Sequence, residues 1–214
     1  MSVNAPIPYL TRIRTYYQAL GYGAPYEWAH FNEVPFKPLA KPLAQCRVTL
    51  VTTAAPHQPD KGDQGPGAAY NAAAKFYQVY SAATSGSHDL RISHIAIDRR
   101  HTTAEDQNSY FPLAALRRSV ARGRIGALTT HFHGLPTNRS RRTTVDVDCA
   151  AVVSRCKADG SDAAILVPNC PVCHQSVGLA ARALEERRIS CAVASCCLRV
   201  LRRFRSKRWF RCRP

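Results

Sequence analysis

Between residues 162 and 194 the chain spells out a strand, a tight turn, a helix and a second strand, and this confines it to an α/β architecture. Asp162-Ala163-Ala164-Ile165-Leu166-Val167 is a short apolar run, the pattern of a strand buried on both faces. Pro168 and Asn169 end it. Pro171 then opens a helix over 171–187 in which Val177, Ala181 and Leu184 share one face. The next strand is 189–194. Strands alternating with helices build a largely parallel sheet with helices on both faces.

The alternation extends upstream. Residues 47–53 and 90–97 read as strands, with a Pro/Gly/Asp loop over 56–67 and a helix over 68–80 between them. Pro112 opens a helix carrying Leu113, Leu116 and Val120, and Gly123 closes it. A strand over 125–130 and a helix over 143–157 follow. The expected body is therefore a single Rossmann-like, three-layer α/β domain over 46–197. Ahead of it, Leu10, Ile13, Tyr17 and Leu20 recur at helical spacing until Gly21 and Gly23. The prolines and aromatics of 24–45 describe an irregular arm, so that 1–45 forms a helix and wrapping segment.

Charge is distributed unevenly. The formal net charge is +16, and eight Lys/Arg with no acid fall within 198–214, leaving 22 basic against 14 acidic residues upstream. A basic tail attracts any polyanion weakly and in a salt-dependent way, which does not amount to specific nucleic-acid recognition. Two readings of 198–214 stand side by side: a basic amphipathic helix, and an out-of-frame end never selected for folding. Either way a mobile extension is expected. No apolar run reaches the length of a membrane span, and 1–6 lack the basic-then-apolar pattern of a secretion signal, so a cytoplasmic location with no membrane partner is expected. In that compartment the nine cysteines are mostly reduced thiols.

Chemistry concentrates at Cys170-Pro171-Val172-Cys173, where a strand ends and a helix begins. A cysteine at a helix N-terminus gains thiolate character from the free N–H groups and the helix dipole, so Cys170 is the expected nucleophile. Cys173, one turn on, is placed to resolve a mixed disulfide. The bland alternatives are half of a zinc site and two chance buried thiols; a second Cys-x-x-Cys at zinc-ribbon spacing is missing. In parallel sheets ligands bind beyond the carboxyl ends of the strands. That rule nominates His94, Asp98, Asp106 and Asn108 near one strand and His131 and His133 past another as substrate-binding residues. Loop capping is the plainer role for Asp98 and Asp106, and a satisfied core histidine for His94. Gly62-Asp63-Gln64-Gly65-Pro66-Gly67 matches neither the dinucleotide nor the P-loop pattern and reads as a surface loop.

Several stretches also carry a family resemblance. Leu90 through Asp98, Thr103-Ala104-Glu105-Asp106-Gln107-Asn108, Tyr110-Phe111-Pro112-Leu113 with Leu116, Arg124-Ile125-Gly126, and Asp159 through the cysteine turn follow one another in the order of the selenoprotein B component of glycine, sarcosine, betaine and D-proline reductases. Over roughly 46–194 the chain resembles a shortened, cysteine-containing relative of that component. Cys170 falls at the position of the family's selenocysteine, Cys173 at the following cysteine, and Ser176 where a third cysteine would stand. The resemblance implies an oxidoreductase subunit that cleaves a C–N bond of a small amine or amino acid reductively, with a disulfide as acceptor. It implies no bound cofactor beyond the redox thiols. It also implies partner subunits, one of them able to carry a pyruvoyl group, and a thioredoxin-like reductant. Two rivals remain: a metal-binding enzyme using Cys170, Cys173, His131 and His133, and a non-catalytic binding module with a basic tail.

Overall fold

The structure, a computed structural model, describes residues 9–23, 28–66, 68–92, 94 and 103–194. Asp98 and the 198–214 segment lie outside the described residues. Helix α1 (Tyr9–Ala19) comes first, followed by an arm whose described part has no regular element before a 3-10 turn at Leu43–Gln45. Then come β1 (Arg47–Thr52), β2 (Ala55–Pro56), β3 (Tyr80–Ala83), β4 (Leu90–Arg91), α2 (Leu113–Ala121), β5 (Ala127–Leu128) and β6 (His131–Gly134). A helical run over 141–158 joins α3 (Arg141–Thr143), a π-helical stretch Thr144–Cys149 and α4 (Ala150–Ala158). The described part ends with β7 (Ala163–Val167), α5 (Pro171–Glu186) and β8 (Ser190–Val193).

The main sheet runs β3-β6-β1-β7-β8, with β5 pairing the start of β1. β1, β5, β6, β7 and β8 are parallel, and β3 adds an antiparallel edge to β6. Strand alternation then divides the core in two. Val48 and Leu50 of β1, Phe132 of β6 and Val167 of β7 pack with Leu113 and Leu116 of α2 on one face. Val51, Ala164 and Leu166 pack with Val152 of α4 and Val177, Ala181 and Leu184 of α5 on the other. This is the expected mostly parallel α/β domain with helices on both faces. The central strands β1 and β7 bury both of their sides, which is why β7 reads as a continuous apolar run.

From β1 the chain moves to β5 and β6 on one side and then crosses back to β7 on the other. The carboxyl ends of β1 and β7 therefore flank the point where strand order reverses, the place where such sheets leave a crevice for ligands.

Four local expectations shift. No helix forms over 68–80: the Asn71 side chain accepts from the N–H groups of Ala73 and Ala74 and donates to the Asp63 carbonyl, tying the segment back onto the Gly-rich loop. That competition between side chain and backbone is characteristic of asparagine. β3, which begins where that helix was to end, had no counterpart in the sequence reading. The strand expected over 90–97 is, within the described residues, only Leu90–Arg91, paired with Ala55–Pro56 away from the main sheet. The strand expected over 125–130 is broken, because the Thr129 hydroxyl donates to the His131 carbonyl at 2.7 Å and bends the chain between β5 and β6. The histidines consequently lie within a strand instead of beyond its end.

Described residues of the arm contact α5. Ala29 N–H donates to Gln175 Oε1 at 2.7 Å, and the Arg182 guanidinium lies 4.4 Å over the Phe31 ring. No described helix is long and apolar enough to cross a membrane.

Candidate active site

The turn between β7 and α5 is held rigidly before any chemistry is considered. Thr53, just past β1, donates its N–H to the Val167 carbonyl at 3.1 Å, and its hydroxyl oxygen accepts the Asn169 N–H at 3.0 Å. The ends of β1 and β7 are thereby stitched together one residue before Cys170. Cys170 is the N-cap of α5, with extended backbone (φ −145°, ψ 171°) and Pro171 in the first turn. Its sulfur accepts the Cys173 N–H at 3.3 Å, and its carbonyl accepts a proton from His174 Nδ1 at 2.7 Å.

The two sulfurs lie 2.6 Å apart, and both cysteines are free thiols. The Thr137 hydroxyl lies 3.0 Å from the Cys173 sulfur. Cys173 is fully buried, while Cys170, 4% exposed, borders a cavity of about 330 Å³. That volume suits a small metabolite.

The pair holds its proton asymmetrically. Burial pushes the Cys170 thiol up, and its hydrogen bond to a negatively charged Cys173 pushes it further, against the backbone N–H groups of Cys173 and Val172. Burial opposes ionisation of Cys173 too, but the Cys170 thiol, the His94 imidazole and the Thr137 hydroxyl together hold it well below the ordinary thiol range. Side-chain donors converge on the Cys173 sulfur, while the backbone N–H groups at the helix start converge on Cys170. Cys170 faces the cavity and Cys173 stands behind it.

The other residues nominated from sequence separate. His94 borders the cavity, and its Nδ1 has no hydrogen-bond partner among the described residues. Asp106 and Asn108 do not border it. Asp106 caps a short 3-10 turn by accepting the backbone and side-chain N–H groups of Asn108, and Asn108 Oδ1 accepts the Ala115 N–H at 3.3 Å. These bonds make them loop-organising residues; substrate contact has no support in their placement. His131 and His133 alternate with Phe132 and so face α4. His131 Nδ1 lies 3.0 Å from Asp159, and His133 lies 2.9 Å from the Ser81 hydroxyl and 3.6 Å from Asp159. Asp159 follows α4 at the amino end of β7, the opposite end of the sheet from the cysteine turn, so the histidines and cysteines do not form one metal site. Among the described residues no three His, Cys, Asp or Glu come together as metal ligands.

Several cavity residues escaped the sequence reading. Thr137 and Arg139 follow β6, and a strand correctly extended to Gly134 would have placed them at a carboxyl end. Lys75 comes from the segment read as a helix. Tyr17 of α1 packs against Cys170, Val172 and Cys173. Its helical spacing with Leu10 and Ile13 signalled a buried face, without saying against what. Comparison of the chain with protein-family models, curated proteins and solved structures finds no match.

Proposed function

We propose that this chain is a dithiol-dependent reductase subunit acting on a small molecule, with Cys170 as nucleophile and Cys173 as base and resolving thiol. The observation that carries the reading is the Cys170–Cys173 pair, 2.6 Å apart, with one sulfur bordering a cavity at the strand-order reversal and the other buried behind it. As Cys170 attacks, its proton passes to the Cys173 thiolate. Cys173 then attacks the Cys170 sulfur, the S–C bond breaks, and the carbon fragment leaves with the proton from Cys173 as the Cys170–Cys173 disulfide forms.

The resemblance to reductase component B suggests the reaction. A small amine or amino acid exchanges its C–N bond for a C–H bond and leaves as the reduced carbon fragment plus ammonium or amine. The two thiols supply two electrons and two protons and end as a disulfide. A thioredoxin-like dithiol returns the pair to its reduced state, and partner subunits, one pyruvoyl-bearing, belong to the same proposal. No metal takes part in this scheme.

The test is a single-turnover experiment with the reduced protein and, in turn, glycine, sarcosine and betaine. Ammonium or amine release matched mole for mole by loss of two thiols, and absent in Cys170→Ser, is expected. Release that persists in Cys170→Ser, or thiol loss without any release, overturns the reading.

A further inference from the structure

Two cations border the cavity beside Cys170, and among the described residues no carboxylate pairs with either. The Arg139 guanidinium carbon lies 4.6 Å over the Tyr17 ring and 4.2 Å over the Tyr22 ring, so aromatic faces cover the group. Stacking leaves only the edge N–H donors for pairing, and Arg139 Nε is buried with no hydrogen-bond partner. Lys75 Nζ lies 5.0 Å over the Tyr77 ring and forms no ion pair with a described residue. Two half-buried cations in one cavity repel each other: Arg139 and burial both disfavour the charge on Lys75, and only the cysteine pair favours it. Once ionised, that pair returns a single negative charge. The lining is left net positive, with a stacked, fork-shaped donor waiting for a planar acceptor.

We propose that Lys75 and Arg139 form a carboxylate-binding subsite that presents a small monocarboxylate to Cys170. This deepens the reductase reading and rests on it, since it takes the cavity beside Cys170 as the substrate site. A substrate that keeps its carboxylate at Arg139 and Lys75 is selected over a neutral or cationic amine of the same size. The tyrosine walls hold the guanidinium in place at little entropic cost.

Iodoacetate and iodoacetamide deliver the same carbon to sulfur and differ in charge. In each case the S–C bond forms at Cys170, the C–I bond breaks, iodide leaves, and Cys173 takes the proton. Iodoacetate is expected to alkylate Cys170 faster than iodoacetamide, with a rate that saturates and that acetate competes away. At the alkaline plateau, where the cysteine pair is fully ionised, Lys75→Met and Arg139→Met should each lower the iodoacetate rate about tenfold more than the iodoacetamide rate, the effect of losing one good ionic contact. Equal rates for both reagents with no effect of either substitution would overturn the subsite while leaving the thiol reading intact. Competition by inorganic phosphate but not by acetate would overturn the carboxylate assignment. Should Cys170 resist both reagents, the reductase reading fails, and isothermal titration with acetate decides the subsite separately. Binding lost in Arg139→Met upholds it, and no binding to the unmodified protein refutes it.

Discussion

Replacing Thr137 with valine removes one hydroxyl and almost nothing else. Thr137 is buried, valine has nearly its shape, and the hydroxyl lies 3.0 Å from the Cys173 sulfur. A hydrogen bond to a charged acceptor contributes about 1.5–3 kcal/mol, and one pKa unit corresponds to about 1.36 kcal/mol. Losing this donor should therefore raise the first ionisation of the cysteine pair by about one to two units. Alkylation of Cys170 by iodoacetamide, followed against pH alongside the ultraviolet absorbance of the thiolate, reads the shift directly. Both profiles should move together to higher pH, and the plateau rate at alkaline pH should be unchanged. Profiles that coincide with those of the unmodified protein would refute the claim that Thr137 stabilises the ionised cysteine pair.

His133 is buried, and burial lowers its pKa to about 4 against the opposing pull of Asp159. The unfolded chain takes up this proton near pH 6.5 and the folded chain does not until near pH 4, so stability falls as pH drops through that window. The loss reaches about 3 kcal/mol. Urea unfolding across this range should show a shallower decline in His133→Asn, and parallel curves for the two proteins would contradict the burial argument. Gly134→Ala places a methyl group into the Tyr80 ring, which is anchored by its hydroxyl donating to the Ala54 carbonyl at 2.8 Å. A loss of about 1–3 kcal/mol is expected from such overpacking, read as a lower melting temperature; an unchanged value would show that the β3 edge yields freely.

Where both faces of an element are buried, the sequence declares it. β7 is apolar over its full length, β1 is rich in β-branched residues and α5 is apolar at helical spacing, and the turn carrying Cys170 is bounded by Pro168 and Pro171. What stayed hidden depended on contacts between segments distant in the chain. Tyr80–Ala83 becomes a strand because β6 offers it an edge, a fact external to its own residues. Segment 68–80 carries helical spacing but spends Asn71 on the preceding loop. At the site, the Cys-x-x-Cys spacing and the strand end located the chemistry. The side chains that surround the Cys173 sulfur, Thr137 and His94, come from elsewhere, one beyond another strand and one more than forty residues upstream of it. Lys75, Arg139 and the tyrosines around them converge only in three dimensions. His131 and His133 gave a false lead because their strand continues through them, turning both toward Asp159 and away from the cysteines.

The central claim is that Cys170 and Cys173 work as one redox pair, and disulfide mapping in graded glutathione buffers tests it most directly. Peptide mass analysis after trapping free thiols should show these two cysteines losing two hydrogens together, at a single potential and reversibly. Cys149 and Cys156, whose thiols burial raises to about 12, should remain reduced throughout. A Cys170–Cys173 disulfide that never forms, or that forms no more readily than bonds involving Cys46 or Cys149, would contradict the account.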